Sequence, residues 1–202
     1  MQRQYAPIPV IIGNNANETL GWADTAGPVT DEASYGAALD RVFGAAARDQ
    51  ILALYPASAY ASPREAFAQV TTDAEFTCKS RAVARALSQA QKEPVFRYFF
   101  NQMLENDPQL KERRVDHTIE QAFLFGWQGK YQPSDIERTV QRQLVGYWIR
   151  MAKVGNPNGG GAVEWTAASA TNDAYLEIGA TVVPRSGPAN AHCDFWDRTP
   201  LL

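Results

Sequence analysis

Two histidines occur among the 202 residues, His117 and His192. Imidazole is the side chain best suited to moving a proton near neutral pH. His192 stands beside Cys193 in a tail rich in proline and alanine, and no chemical role is expected of it. His117 follows the charged run Lys111-Glu112-Arg113-Arg114, read as a solvated surface segment, and precedes the aromatic run Phe123-Leu124-Phe125-Gly126. An imidazole becomes a general base when a carboxylate holds one ring nitrogen and the other faces a hydroxyl. Glu18 is an acid in a suitable setting, directly after the Asn- and Gly-rich turn from Gly13 to Asn17. Taken singly, neither residue is diagnostic. A lone histidine between a strand and a helix is more often structural, and an acid after a turn more often caps a helix or faces water. No Gly-x-Ser-x-Gly occurs in the chain. Gly159-Gly160-Gly161 lacks the Lys-Ser/Thr of a phosphate loop and reads as a flexible connection.

The elements that must position these groups alternate between two periods. Ile8-Pro9-Val10-Ile11-Ile12-Gly13 is an apolar run without polar alternation, the habit of a parallel strand covered on both faces. The turn after it lies at the strand's C-terminal end, the edge where open α/β sheets build sites. Tyr35, Ala38, Leu39, Val42 and Phe43 keep the spacing of an amphipathic helix. Ser62-Pro63-Arg64-Glu65 is a helix start with a capping box and proline at the first position. That helix is expected to break near Thr71-Thr72 and resume through Val83 and Leu87. Val95 to Phe100 predicts a second strand, and Tyr175 to Ile178 a last short one. Ser134-Asp135-Ile136-Glu137 caps a long helix with the stripe Ile136, Val140, Leu144, Trp148 and Met151, ended by Gly155 and Pro157. Strands alternating with helices predict an α/β fold.

Composition narrows the classes of partner. Hydrophobic residues make up 45% and charged residues 20%, an ordinary balance for a globular chain. The net charge of −3 argues against nucleic acid, which asks for a basic excess. No run approaches the length of apolar residues that spans a bilayer. No cofactor and no metal are expected.

Several short segments together resemble the type-B carboxylesterase and cholinesterase family. Val10-Ile11-Ile12-Gly13-Asn14-Asn15-Ala16-Asn17-Glu18 is similar to that family's strand and loop ending on the triad glutamate. Val115-Asp116-His117-Thr118-Ile119-Glu120, followed by Phe123-Leu124-Phe125-Gly126, resembles its histidine motif. Asp73 precedes Cys78 as in the family's Asp-x4-Cys element, and Arg97-Tyr98-Phe99-Phe100-Asn101 looks like the strand before the histidine loop. Trp148 to Asn158, with Gly155-Asn156-Pro157-Asn158, and Cys193-Asp194-Phe195-Trp196 match its closing signatures. Two positions depart from the pattern: Thr118 stands where glycine is usual, and Met151 where phenylalanine is common.

The resemblance implies the C-terminal part of an α/β-hydrolase fold, edge strands of the central sheet plus packing helices, with residues 1–202 forming the C-terminal portion of one catalytic domain. Glu18 and His117 would be the acid and base of a Ser-Glu-His triad, in the chain order of α/β-hydrolases. The nucleophile would lie on an N-terminal segment or partner chain, and the substrate would be a small carboxylic ester. Trp22 would line the substrate gorge, with a core or rim position as the alternative. Asp73 and Glu120 would give structural support, and Cys78 and Cys193 would form a disulfide, which would favour a secreted or periplasmic parent enzyme. Asn17-Glu18-Thr19 matches a glycosylation triplet, but its middle residue is the proposed acid of a buried loop. The alternatives are a non-catalytic binding module of the same family and an inactive fragment.

Overall fold

The computed structural model describes residues 5–127, 129–187 and 190–199. A strand β1 (Val10–Asn15) carries the chain to the first functional loop. It pairs in parallel with β2 (Val95–Phe100), Val10 opposite Val95 and Asn15 opposite Phe100. β2 pairs in parallel with β3 (Ala174–Ile178), and β3 turns back into an antiparallel β4 (Val182–Ser186), so the sheet order is β1-β2-β3-β4. Parallel neighbours need long crossovers, and helices supply them here.

Between β1 and β2 come a 3₁₀ segment (Leu20–Ala26), α1 (Glu32–Phe43), α2 (Ala45–Leu54), α3 (Pro63–Thr72) and α4 (Cys78–Ala90). Between β2 and β3 come α5 (Pro108–Glu112), α6 (Glu120–Phe125) and the long α7 (Asp135–Val154). A last helix, α8 (Asn190–Trp196), closes the described chain. The two faces of the sheet are covered from opposite sides. Val10, Ile12 and Val95 pack on Ala84 and Leu87 of α4, while Ile11, Phe96 and Phe100 pack with Val140, Leu144 and Tyr147 of α7. This two-sided cover is what an unalternated apolar strand requires. A third cluster under α1 to α3 gathers Tyr35, Leu39, Ile51, Tyr55, Phe67 and Val70 with Cys193 and Trp196 of α8.

The helix ends follow their caps. Ser62 accepts from Glu65 N–H with Pro63 at the first position, and Ser134 and Glu137 form a reciprocal capping box. Gly155 takes the left-handed conformation that ends α7. Gly13 answers to crowding: a Cβ there would stand 2.3 Å from the Tyr98 carbonyl oxygen on the paired strand.

The structure revises four readings. The expected break near Thr71-Thr72 is a single π turn, Asp73–Thr77, joining α3 directly to α4. Ile136 is 48% exposed, so the buried stripe of α7 begins at Val140. The charged run is not merely solvated, because Arg113 holds Asp116 through two hydrogen bonds and Arg114 pairs with Glu65. β4, unexpected from sequence, carries Pro184 on an edge, where a strand tolerates the missing N–H.

Candidate active site

The site is built where two loops are stitched together by their main chains. As β1 ends, Ala16 N–H donates to the Phe100 carbonyl at 2.9 Å, fixing the exit of the acid loop over β2. Asn17 N–H then donates to the Val115 carbonyl at 2.9 Å, and His117 N–H to the Glu18 carbonyl at 3.2 Å. These bonds zip the Glu18 loop to the His117 loop before any side chain is considered. Thr19, 1% exposed, ties the same loop to α3 by donating to the Ala68 carbonyl at 2.8 Å.

Glu18 and His117, 99 positions apart in the chain, meet with Glu18 Oε2 at 2.6 Å from His117 Nδ1. The other carboxylate oxygen, Oε1, accepts from Asn15 N–H at 2.7 Å. Glu18 is 5% exposed, whereas the His117 side chain is 45% exposed. Burial raises the Glu18 pKa above its ordinary value. The Asn15 N–H and the facing imidazole pull it down, and the charge of Glu120 adds to the rise. With Nδ1 engaged by the carboxylate, Nε2 is the nitrogen left to exchange a proton with a hydroxyl.

Asn15 is the residue that sequence reasoning missed. It is 1% exposed, and its side-chain amide donates to the Asp116 carbonyl at 3.0 Å and to Glu120 Oε2 at 2.5 Å. One side chain at the end of β1 therefore grips both the histidine loop and the first turn of α6. Glu120 reaches the loop through Asn15. Asp116 adds rigidity from below, 3% exposed and held by Arg113. Thr118 stands at φ +70°, in the left-handed region, which gives a physical reason why glycine suits the position after the histidine.

Aromatic rings flank the imidazole. Trp22, 40% exposed, meets His117 edge to face at a centroid distance of 5.2 Å, and Phe76 lies at 5.5 Å. Trp22 thus stands at the rim beside His117, not in the core. Asp73 is not part of the pair. It is 2% exposed and accepts from Tyr55 Oη at 3.0 Å, Gln69 Nε2 at 2.9 Å and His192 Nδ1 at 3.1 Å. His192, given no role from sequence, is therefore a structural ligand of Asp73. Cys78 and Cys193 are joined in a disulfide. The Thr19 hydroxyl of the Asn17-Glu18-Thr19 triplet is buried, which leaves that triplet poorly placed for glycosylation.

Among the described residues, no group of three or more His, Cys, Asp or Glu side chains is placed to hold a metal ion. No described helix is long and apolar enough to cross a membrane. The arrangement can hold an imidazole in one tautomer and stabilise it once protonated.

Cocaine esterase of Homo sapiens is 28% identical over 222 residues, covering 96% of this chain and 37% of that protein. Carboxylesterase 5A of Felis catus is 27% identical over 147 residues, 67% of this chain and 26% of its own. A solved thermophilic pNB esterase superposes with a TM-score of 0.70 at 23% sequence identity, over 94% of this chain and 38% of that one. The fold is therefore a portion of the α/β-hydrolase fold, and the chain matches only 26% to 38% of the length of these relatives. Residues 1–196 match the pattern of the carboxylesterase family, and the chain belongs to that family.

Proposed function

We propose that this chain is the C-terminal component of a serine carboxylesterase, contributing Glu18 as the acid and His117 as the general base of a Ser-Glu-His triad. The observation that carries the reading is the 2.6 Å contact between Glu18 Oε2 and His117 Nδ1, built by two zipped loops at the C-terminal end of β1. In the proposed reaction, His117 Nε2 takes the proton of a serine hydroxyl as that oxygen attacks the carbonyl carbon of an ester. It then returns the proton to the departing alkoxide, and a water repeats the cycle on the acyl-enzyme. Glu18 keeps the imidazole oriented and stabilises its cationic form.

The nucleophile is assigned to a segment outside the 202 residues, because no Gly-x-Ser-x-Gly elbow occurs within them. The substrate is a small carboxylic ester bound on the Trp22 side of the imidazole. The test is labelling by a serine-reactive fluorophosphonate. A chain reconstituted with the N-terminal segment of its own gene, or of a family member, should label, and His117→Ala should abolish that labelling. Failure to label in every such pairing would overturn the proposal in favour of a binding module or an inert fragment.

A further inference from the structure

Asp73 and Cys78 bound one π turn, in which Cys78 N–H donates to the Asp73 carbonyl, an i to i+5 bond. Both residues reach α8, and they reach neighbouring residues on it. Asp73 Oδ2 accepts from His192 Nδ1 at 3.1 Å, and Cys78 is bonded to Cys193. A regular α-helix could not offer both attachments. Five residues at 3.6 per turn rotate a side chain about 140° past a full turn, so one of the two would point away from α8. The π turn, whose i to i+5 bond winds more residues into the turn, brings the direction of residue i+5 closer to that of residue i. The extra residue in this helix is accounted for by its double attachment.

Two residues between those anchors, Phe76 and Thr77, face the opposite way, toward the site. Thr77 Oγ1 accepts from Asn14 Nδ2 at 3.1 Å on β1, and the Phe76 ring lies 5.5 Å from the His117 ring. The π turn is thus a wedge, with α8 on one side and the acid-histidine pair on the other. α8 is itself firmly seated. Trp196 Nε1 donates to Tyr55 Oη at 2.9 Å, that hydroxyl donates to Asp73, and the Tyr55 and His192 rings stand 4.1 Å apart. The fully buried Arg81 on α4 reaches Asp194 at 2.8 Å and Asp197 at 2.6 Å.

We propose that Phe76 is a positioning residue for His117, and that α8 governs it: the His192–Asp73 hydrogen bond and the Cys193–Cys78 bridge hold the π turn that keeps Phe76 against the imidazole. Without those anchors the turn relaxes toward α-helical register, and Phe76 rotates off the ring. The catalytic consequence rests on the function proposed for His117, but the contact itself can be read without turnover.

Because the chain has only two histidines, NMR of their ring protons in the whole 202-residue protein reads the contact directly. His192→Ala should displace the His117 ring-proton shifts, and His192→Asn, whose amide nitrogen stands in for Nδ1, should restore them. Phe76→Leu should displace the same signals, while Phe76→Tyr, which keeps a ring, should not. Carbethoxylation of His117 by diethylpyrocarbonate, followed by peptide mass spectrometry, should quicken severalfold in His192→Ala and in Phe76→Leu. Unchanged His117 shifts and reactivity in both would overturn the proposal. If His192→Ala fails to fold, selective reduction of the disulfide takes its place, and the Phe76 pair still decides the positioning role, since Phe76 is only half-buried. Loss of fluorophosphonate labelling would count against the esterase reading and leave these signals untouched, so the two failures are distinguishable.

Discussion

Glu18 is held where its charge is both resisted and required. Burial is the largest influence and raises its pKa, so the folded state binds a proton more readily than the unfolded chain does. For an acid the sign is then fixed: the ionised carboxylate weighs against folding at neutral pH, and that cost is relieved as pH falls through the raised value toward the ordinary 4.5. Glu18→Gln keeps an oxygen to accept from Asn15 N–H and removes the charge. It should therefore be at least as stable as the parent at pH 7, with the gap narrowing toward pH 4.5, as urea unfolding across that range would show. The same substitution presents an amide N–H to His117 Nδ1 and locks the wrong tautomer, so in a reconstituted enzyme kcat should fall on the order of 10⁴-fold. Near-normal turnover would remove Glu18 from the triad. Thr118 gives a second residue-scale expectation. A β-branched residue in the left-handed region costs about 1–2 kcal/mol, of which glycine gives back some through its looser unfolded chain. Thr118→Gly should stabilise the chain by roughly 0.5–1 kcal/mol in thermal or urea unfolding. At this scale the pair was legible only through resemblance: the segments ending on Glu18 and running from Val115 to Gly126 are similar to the family's acid loop and histidine motif, whereas either residue alone is not diagnostic. Asn15 and Phe76 stayed hidden, because a buried amide gripping two loops and a ring contact across the fold carry no spacing signature.

Among the elements, those written by a single local rule were readable in advance. β2 lay in a run of β-formers, and α7 between a capping box and a left-handed glycine. The π turn was not readable, since Thr71-Thr72 gives only a drop in helix preference. The π turn goes with attachments to α8, well over a hundred positions away in the chain. β4 was hidden for the opposite reason: three of its five residues are exposed and one of these is a proline, so no apolar alternation marks them. The disulfide is the element-scale device that can be measured. It closes a sequence separation of 115, which in the chain-entropy picture is worth about 4–5 kcal/mol. Reduction should lower stability by up to that amount and release α8 from its seat on α4. Alkylation without reductant, followed by mass spectrometry, should find neither cysteine modified. Two alkylated cysteines would refute the bridge, and with it the argument for an exported parent enzyme.

At the scale of the whole molecule, the two edges of the sheet are treated differently. β4 forms one edge, and it is short, exposed and interrupted by Pro184, with Arg185 paired to Glu177 beside it, all features that discourage another strand from adding. β1 forms the other, and Val10, Ile11 and Ile12 carry no charge and no proline to blunt it. An uncharged parallel edge strand is a template for one more strand. Further apolar side chains stand open elsewhere on the surface, with Ile8 58% exposed, Val154 72% and Phe125 81%. The chain by itself should therefore associate through the β1 edge or take up a partner strand, as sedimentation at increasing concentration would show. It should also lack esterase activity, because His117 needs a hydroxyl within about 3 Å and no Gly-x-Ser-x-Gly elbow occurs in the 202 residues to supply it. The assay is hydrolysis of p-nitrophenyl acetate and butyrate by the purified chain, run beside His117→Ala, and then repeated with the N-terminal segment added. Turnover that depends on His117 in the chain alone would mean the nucleophile has been sought in the wrong place. Turnover that appears only on mixing, and disappears with His117→Ala, would place the missing hydroxyl on the N-terminal segment.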